Sequence, residues 1–216
     1  MPKTFTDDVA PVFPAAINGP LQVVVPGDLS SYFKIDPGAA RIEAAGIARP
    51  MRRWTVPTAR TTGVASFSTI DSALDGRSIG ASSDAGLFSF PFAVPLDMDL
   101  TATCNLKVPV APLADGGGGQ VVRFELVTAY GKDGDTSMVT ETVTYDWTTP
   151  AGWSTQDLKL VTLDAGSGST YAGNKFEASD IIGVLVRRLG SAAQDTFSQS
   201  LIMATSFVFE YMAKQV

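Results

Sequence analysis

The strongest constraint on the fold of this chain is an alternation of apolar and polar residues through its middle third. Between residues 98 and 110 every second residue is apolar, and the same spacing returns at 122–130 and 139–147. A period of two puts alternate side chains on opposite faces of a strand, whereas a helix repeats every ~3.6 residues. The pattern predicts three half-buried strands, each with one face on a core and the other toward water.

Further strands are predicted where Val, Ile, Thr and aromatic residues are concentrated. These segments are 64–70, 86–94, 156–163, 181–189 and 201–212. Turn residues separate the strands, and the glycine-rich segments 115–119 and 131–135 are typical of hairpin loops. Because there is neither a sustained helical period nor an internal repeat, the sequence predicts an all-β fold, an antiparallel two-sheet sandwich.

The N-terminal region has a different composition. Eight of the 13 prolines lie within the first 57 residues, where they exclude long helices and limit central strands. Segment 10–14 is too apolar for a flexible linker, so we predict an extended Pro-rich arm that lies on its own body or on another subunit. Residues 1–60 would hold this arm and the first strands, and residues 61–216 the sandwich body, within one structural domain.

Charge is distributed unevenly along the chain. The net charge of −6 argues against nucleic acid or an anionic membrane surface as a partner. Residues 34–60 carry six basic and two acidic residues, which leaves a net charge of −10 for the rest. We predict that this basic stretch, with Arg49, Arg52 and Arg53, contacts acidic groups of the same chain, of a neighbouring copy or of another partner.

The residue types available for catalysis are few. The chain has no histidine and one cysteine, Cys104, which excludes histidine triads, histidine or cysteine metal sites and an intrachain disulfide. An enzyme would need a carboxylate-only site, such as one at Asp97 and Asp99. We therefore predict no enzyme activity, no catalytic or metal-binding residues and no cofactor. No apolar run reaches the ~18 residues of a membrane span, and the start lacks signal-peptide features, so a soluble protein is expected.

Two features leave alternatives open. Trp147 and Trp153 flank one loop, where they could form a platform for a sugar ring or pack inside the protein. The strand predicted at 201–212 is apolar on both faces, so either the arm or another subunit is expected to cover its second face. The candidate interface residues are Phe5, Val9, Val12, Phe13, Ile17, Arg49, Arg52, Arg53, Phe207, Phe209 and Tyr211.

The order of these features resembles the jelly-roll head-decoration (cement) proteins of tailed bacteriophages. The resemblance lies in the Pro-rich arm, in segment 88–95 leading into an alternating strand, in the glycine-turn hairpins and in the closing aromatic strand. The resemblance extends over most of the chain from about residue 20, and it lies in the overall pattern and not in a diagnostic motif. It therefore assigns no functional residue.

This resemblance implies a jelly-roll sandwich and a non-enzymatic virion protein. Such a protein would be assembled in the host cytoplasm and would lie on the exterior of the capsid. It would act as a homotrimer that clamps the major capsid protein of the shell. Phage fibre and spike domains share much of the pattern, so a receptor- or glycan-binding β-sandwich module is the alternative.

Overall fold

The computed structural model describes residues 51–70, 74–100, 102, 104–163, 176–177 and 179–213, and the backbone of three strands between residues 21 and 45. The chain divides into two compact units, Met1–Pro50 with Lys214–Val216, and Met51–Ala213. The predicted arm residues Phe5, Val9, Val12, Phe13 and Ile17, together with Arg49, lie outside the described residues.

The first unit contains a small antiparallel sheet. Its strands are β1 (Leu21–Val25), β2 (Asp28–Asp36) and β3 (Arg41–Ala45), which pair in the order β1–β2–β3. Successive strands are therefore neighbours, as in a meander, and β2 is the central strand.

The described residues of the second unit form twelve strands and contain no helix. They are β4 (Met51–Thr62), β5 (Ala65–Ile70), β6 (Leu74–Ile79), β7 (Asp84–Ser89), β8 (Phe92–Ala93), β9 (Asn105–Pro112), β10 (Val121–Gly131), β11 (Val139–Thr148), β12 (Lys159–Thr162), β13 (Ile181–Leu189), β14 (Leu201–Ala204) and β15 (Ser206–Met212).

The strand order is that of a jelly roll. One layer runs β12–β9–β15–β4, with β14, β6 and β5 extending it, and the other runs β11–β10–β13–β7, with β8 beside β13. From β7 onward the chain changes layer at five connections, namely β8–β9, β9–β10, β11–β12, β12–β13 and β13–β14. Two four-stranded antiparallel layers joined in this way define a jelly roll, so the predicted all-β sandwich is confirmed.

Strand β4 belongs to both layers. Its residues Met51–Pro57 pair with β15, and from Thr58 onward it pairs with β7. The register shifts between Thr58 and Arg60, and such an irregularity bends a strand. The boundary expected near residue 60 therefore lies inside a strand, and the units divide before Met51 instead because β4 is paired with the body at both ends.

The core lies between the two layers. From β10 it receives Val122, Phe124 and Leu126, and from β9 Leu106 and Val108, all fully buried in one hydrophobic cluster. Burying such a side chain contributes roughly 1.5–3 kcal/mol, so these inward rows are the main source of stability in the sandwich.

Two details differ from the sequence-based expectation. The strand predicted at 98–110 begins only at Asn105, because Met98 makes an isolated bridge to Ala213 and the amide of Ala102 closes a turn onto Asp99 at 3.1 Å. Segment 115–119 is not a hairpin loop, because β9 and β10 lie in different layers and the segment crosses between them.

Candidate functional site

Two exposed aromatic side chains of the body lie on and beside β4, the strand that passes from one layer to the other. Trp54 of β4 is 45% exposed, and Phe90, just after β7, is 52% exposed. The amide of Phe90 donates to the carbonyl of Pro57 at 2.9 Å, which places it beside β4. With the exposed Met51 at the start of the strand, these residues define what we call the β4 edge surface; Met51 and Trp54 lie on opposite faces of β4 and so border its edge from both sides.

Two arginines of β4 lie on opposite faces of this strand. Arg52 Nε contacts Asp97 Oδ2 at 2.9 Å, and Arg53 Nε contacts Glu210 Oε2 at 2.8 Å. Both predicted basic residues thus contact acidic groups of their own chain. The Arg53 side chain is still 67% exposed, so its guanidinium has room for a second acidic partner.

Glu210 is a buried carboxylate held by two cations. Its second oxygen accepts from Lys107 Nζ at 3.0 Å, and its side chain is only 3% exposed. Burial by itself raises the pKa of a carboxyl group, but here the hydrogen bonds from Arg53 and Lys107 prevail and lower the pKa of Glu210. The carboxylate therefore stays ionised and fixes β4 and β9 onto β15.

We expect Glu210→Gln to reduce the stability of the protein near neutral pH and to make it less sensitive to acid. A lowered pKa in the folded state adds stability above the unfolded-state pKa of about 4.3, and this is lost as the pH falls through the folded-state pKa. Urea unfolding at pH 7 and at several values below pH 4.5 should show the gap between wild type and variant shrinking with acid. A gap that is independent of pH would contradict this role for Glu210.

The aromatic residues predicted as interface on the last strand lie in the core of their own chain. Phe207 and Phe209 are fully buried and Tyr211 nearly so. The rings of Phe209 and Phe92 lie 5.2 Å apart, and Tyr211 donates to Asp97 Oδ1 at 3.0 Å. Burial and this hydrogen bond raise the pKa of Tyr211. Since they face the opposite layer, these three side chains are not on the surface of the body.

The second face of this strand is covered along its first part. Ile202 and Ala204 pack in a small buried cluster with Ile70, Ala111 and the half-buried Leu74. A Cβ at Gly76 would lie 2.5 Å from Ile202, so close packing here requires glycine. Part of the second face is thus packed against neighbouring strands of the same sheet.

The two tryptophans considered for sugar stacking pack against each other. Their rings are 5.1 Å apart at 84°, and Trp153 also lies 5.3 Å from Phe197. Trp153 is 1% exposed and its indole nitrogen donates to the carbonyl of Asp157 at 2.7 Å, whereas Trp147 is half-buried. The structure therefore favours packing over a ligand platform for Trp153, because neither face of its indole is open.

A polar cleft of about 350 Å³ lies at the end of the β10–β11 hairpin. An ion pair between Lys132 and Glu177 lies at this cleft, and its hydrogen bond raises the pKa of Lys132. Burial and the nearby Glu141 raise the pKa of Tyr130, which forms part of the wall. The lining is Tyr130, Gly131, Lys132, Asp135, Thr136, Ser137, Val139, Glu177 and Asp180. Such a surface can donate and accept hydrogen bonds with a small polar ligand.

The remaining acidic residues in the part of the chain that the structure describes do not assemble into a further site. This part contains no group of three or more His, Cys, Asp or Glu side chains placed to hold a metal ion. Asp97, considered for a carboxylate pair, contacts Arg52 and Tyr211 instead. None of the described residues forms a helix of the length and apolarity needed to cross a membrane.

The β4 edge surface was missed by sequence reasoning. Trp54 follows two arginines in a stretch that the sequence marks by charge, and it lies at the edge of a layer, where residues 51–56 of β4 pair only with β15 among the described strands. The available signal was an aromatic residue inside a basic, proline-containing strand, a pattern that does not reveal which side chains face water.

Comparison with known proteins gives little further information. No family model matches the chain, and no curated protein is significantly similar to it. A similar solved structure comes from work on the promiscuous specificity of carbohydrate-binding modules from the β-sandwich superfamily. It is 8% identical in sequence, with a TM-score of 0.33, and the alignment covers 92% of this chain and 74% of that chain. The class of the protein, a jelly-roll β-sandwich, therefore rests on the strand order given above.

Proposed function

We propose that this protein is a non-enzymatic structural protein that acts by associating with copies of itself. The observation that carries the proposal is the β4 edge surface, where Met51 and Trp54 of the edge strand β4 and Phe90 beside it are about half exposed. Exposed apolar residues on an edge strand favour aggregation unless a specific partner covers them. A neighbouring copy is the simplest partner that would always be present.

The specific form of this proposal is a head-decoration protein of a tailed phage, a trimer on the exterior of the capsid. It is supported by the jelly-roll strand order together with the resemblance described above. Arg52 and Arg53 keep more than half of their side-chain surface exposed, so they can contact acidic groups of the major capsid protein as well as their intrachain partners.

We expect wild-type protein to have a native mass near three times the chain mass of 22.7 kDa, and Trp54→Lys to lower it toward that of a monomer. A charge placed in a covered apolar contact must be desolvated without a partner, which weakens association. Size-exclusion chromatography with light scattering measures both masses. Leu160→Lys is the matched control, because Leu160 is similarly exposed on the distant strand β12, and it should remain trimeric. A monomeric wild type would contradict the proposal.

The place on a virion is tested by sedimentation with empty tailed-phage heads that lack decoration protein. Co-sedimentation of the wild type, reduced for Trp54→Lys, supports the decoration role. A trimer that does not bind heads would favour the second candidate function, a receptor- or glycan-binding fibre or spike module.

One observation favours that second function, namely the polar cleft at the β10–β11 hairpin. Its hydroxyl, carboxylate and ammonium groups around Tyr130 suit the hydrogen-bonding surface of a sugar. Glycan-array binding that is lost in Lys132→Ala would support this function. The decoration role requires no such binding.

A further inference from the structure

We propose that the β4 edge of one copy adds as a strand to the β11 edge of the next copy. This inference rests on the proposed function, because it identifies the two surfaces through which copies would associate. The contact would be head-to-tail, with a different surface used by each partner.

Strand β11 is an unprotected edge of its layer. Among the described residues it pairs only with β10, in a register that continues without a shift from Val139 to Thr148. Edge strands are normally protected by proline, by a bulge or by charged side chains, above all lysine. Over its ten residues β11 has no proline, lysine or bulge, and its two charged residues, Glu141 and Asp146, are both acidic, so they repel a like-charged strand but not a basic one. It therefore offers an uninterrupted row of backbone donors and acceptors.

The orientation of these backbone groups follows from the hydrogen bond that ends the β10–β11 pair. The amide of Thr149 donates to the carbonyl of Gln120 at 2.8 Å, so the backbone of Thr149 faces β10. Backbone groups alternate in direction along a strand. The even-numbered residues, including Thr144 and Asp146, therefore present their N–H and C=O groups to the free side.

The same reasoning applies to β4. Pro57 accepts from the amide of Phe90, whereas the amide of Thr58 donates to Thr205 on the β14–β15 side, each at 2.9 Å. The odd-numbered residues Arg53 and Thr55 thus face away from β15. No strand among the described residues pairs with this side of β4 between residues 51 and 56.

An antiparallel register with Arg53 opposite Asp146 lets the outward N–H and C=O groups of β4 and β11 pair with each other. It faces the outward backbone groups of Thr55 toward those of Thr144, and it places a positive side chain opposite a negative one. Asp146 contacts Arg123 at 3.2 Å and is half exposed, so it can accept a second cation.

In the same register, the side chains on the opposite face of β4 also meet suitable partners on β11. Trp54 comes opposite Tyr145, and Arg52 comes opposite Trp147. Aromatic cross-strand pairs stabilise sheets, and a guanidinium over an indole is a favourable cation–π pair.

A second copy of β11 fits this edge less well than β4 does. Pairing β11 with itself would bring the acidic residues Glu141 and Asp146 of both copies to one seam, whereas β4 places Arg53 opposite Asp146. Charge complementarity therefore favours β4 as the occupant. Because the contact joins two different surfaces, repetition around an axis can close a ring such as a trimer.

The test uses cysteine cross-linking in the full chain. Thr55→Cys and Thr144→Cys are separate single variants, both at exposed positions, while the native Cys104 is fully buried. Hydrogen-bonded antiparallel pairs have Cα atoms ~5.5 Å apart, within the range for a disulfide. Mixing the two variants under mild oxidation should give a covalent dimer that is absent from either variant alone. Gln194→Cys mixed with Thr55→Cys is the control and should give none.

The outcomes separate this inference from the proposed function. Cross-linking of Thr144→Cys alone would indicate that β11 pairs with itself and would overturn the inference. A trimer without cross-links in this mixture, or in a mixture of Met51→Cys with Thr148→Cys from the same register, would overturn it while self-association stands. A wild type that is monomeric at every concentration would overturn both.

Discussion

Asp195→Ala is expected to lower the free energy of unfolding by about 3–5 kcal/mol, because it leaves a buried guanidinium without its counter-charge. The side chains of Arg188 and Asp195 are both 0% exposed. They form a two-pronged contact, with Arg188 Nε at 2.9 Å and Nη2 at 2.7 Å from the two carboxylate oxygens. The side chains have no exposed surface through which water solvates the guanidinium in the wild type, so the lost carboxylate leaves its charge uncompensated.

This ion pair connects several parts of the sandwich. Arg188 Nη1 also donates to the carbonyl of Gln199 at 2.8 Å, and the Asp195 carboxylate accepts from the amide of Arg123 on β10 at 3.1 Å. Removing Asp195 therefore loosens the segment between β13 and β14 as well as its attachment to β10. The loss should be cooperative rather than local.

Urea unfolding followed by circular dichroism measures this effect as a lower transition midpoint. The control is Glu177→Ala, which breaks the largely exposed pair with Lys132 and should cost no more than about 1 kcal/mol. Equal losses for the two variants would mean that water reaches Arg188 and that the pair is not a buried support of the fold.

Hydrophobic periodicity was sufficient to predict a strand where that strand packs in a regular layer. The segment 181–189 was predicted as a strand, and β13 covers the same residues, because its apolar positions face the core. Periodicity reports which residues are buried, but pairing between distant segments leaves no local signal. For this reason the crossing at 115–119 was mistaken for a hairpin.

The predicted strand at 98–110 was wrong before β9, because residues there are buried without forming a strand. Met98 and Cys104 are both fully buried, as their spacing indicates, yet the chain between them turns instead of extending. A buried loop can produce the same alternation as a strand over a few residues. Only the hydrogen-bond partners, which depend on the rest of the fold, distinguish the two.

For the candidate site, the sequence showed which side chains avoid water but not what covers them. Phe207 and Phe209 were expected at an interface, and they are buried by the opposite layer of their own chain. Trp54 lies on the same kind of strand and is half exposed. The difference arises because β15 pairs with β4 on one side and β9 on the other, whereas residues 51–56 of β4 pair only with β15 among the described strands, an arrangement that depends on the fold and not on local composition.

Trp153→Ala is expected to lower the free energy of unfolding by about 3–5 kcal/mol, the usual range for a large aromatic residue removed from a core. The ring packs between Trp147 and Phe197, so its removal leaves a cavity bounded by rigid aromatic side chains. The substitution also removes the donor to the carbonyl of Asp157. Urea unfolding measures the loss, and Trp153→Phe should show a smaller one because it retains most of the packing.

The matched control for this substitution is Trp54→Ala, which removes the same side chain from a half-exposed position. It should cost clearly less in stability while reducing native mass, because Trp54 is already 45% exposed and its removal opens no buried cavity. Trp153→Ala should show the reverse, a large loss of stability in every oligomeric state. If Trp153→Ala were as stable as wild type, the indole would not be a packing element, and a role for it in binding a sugar would have to be considered again.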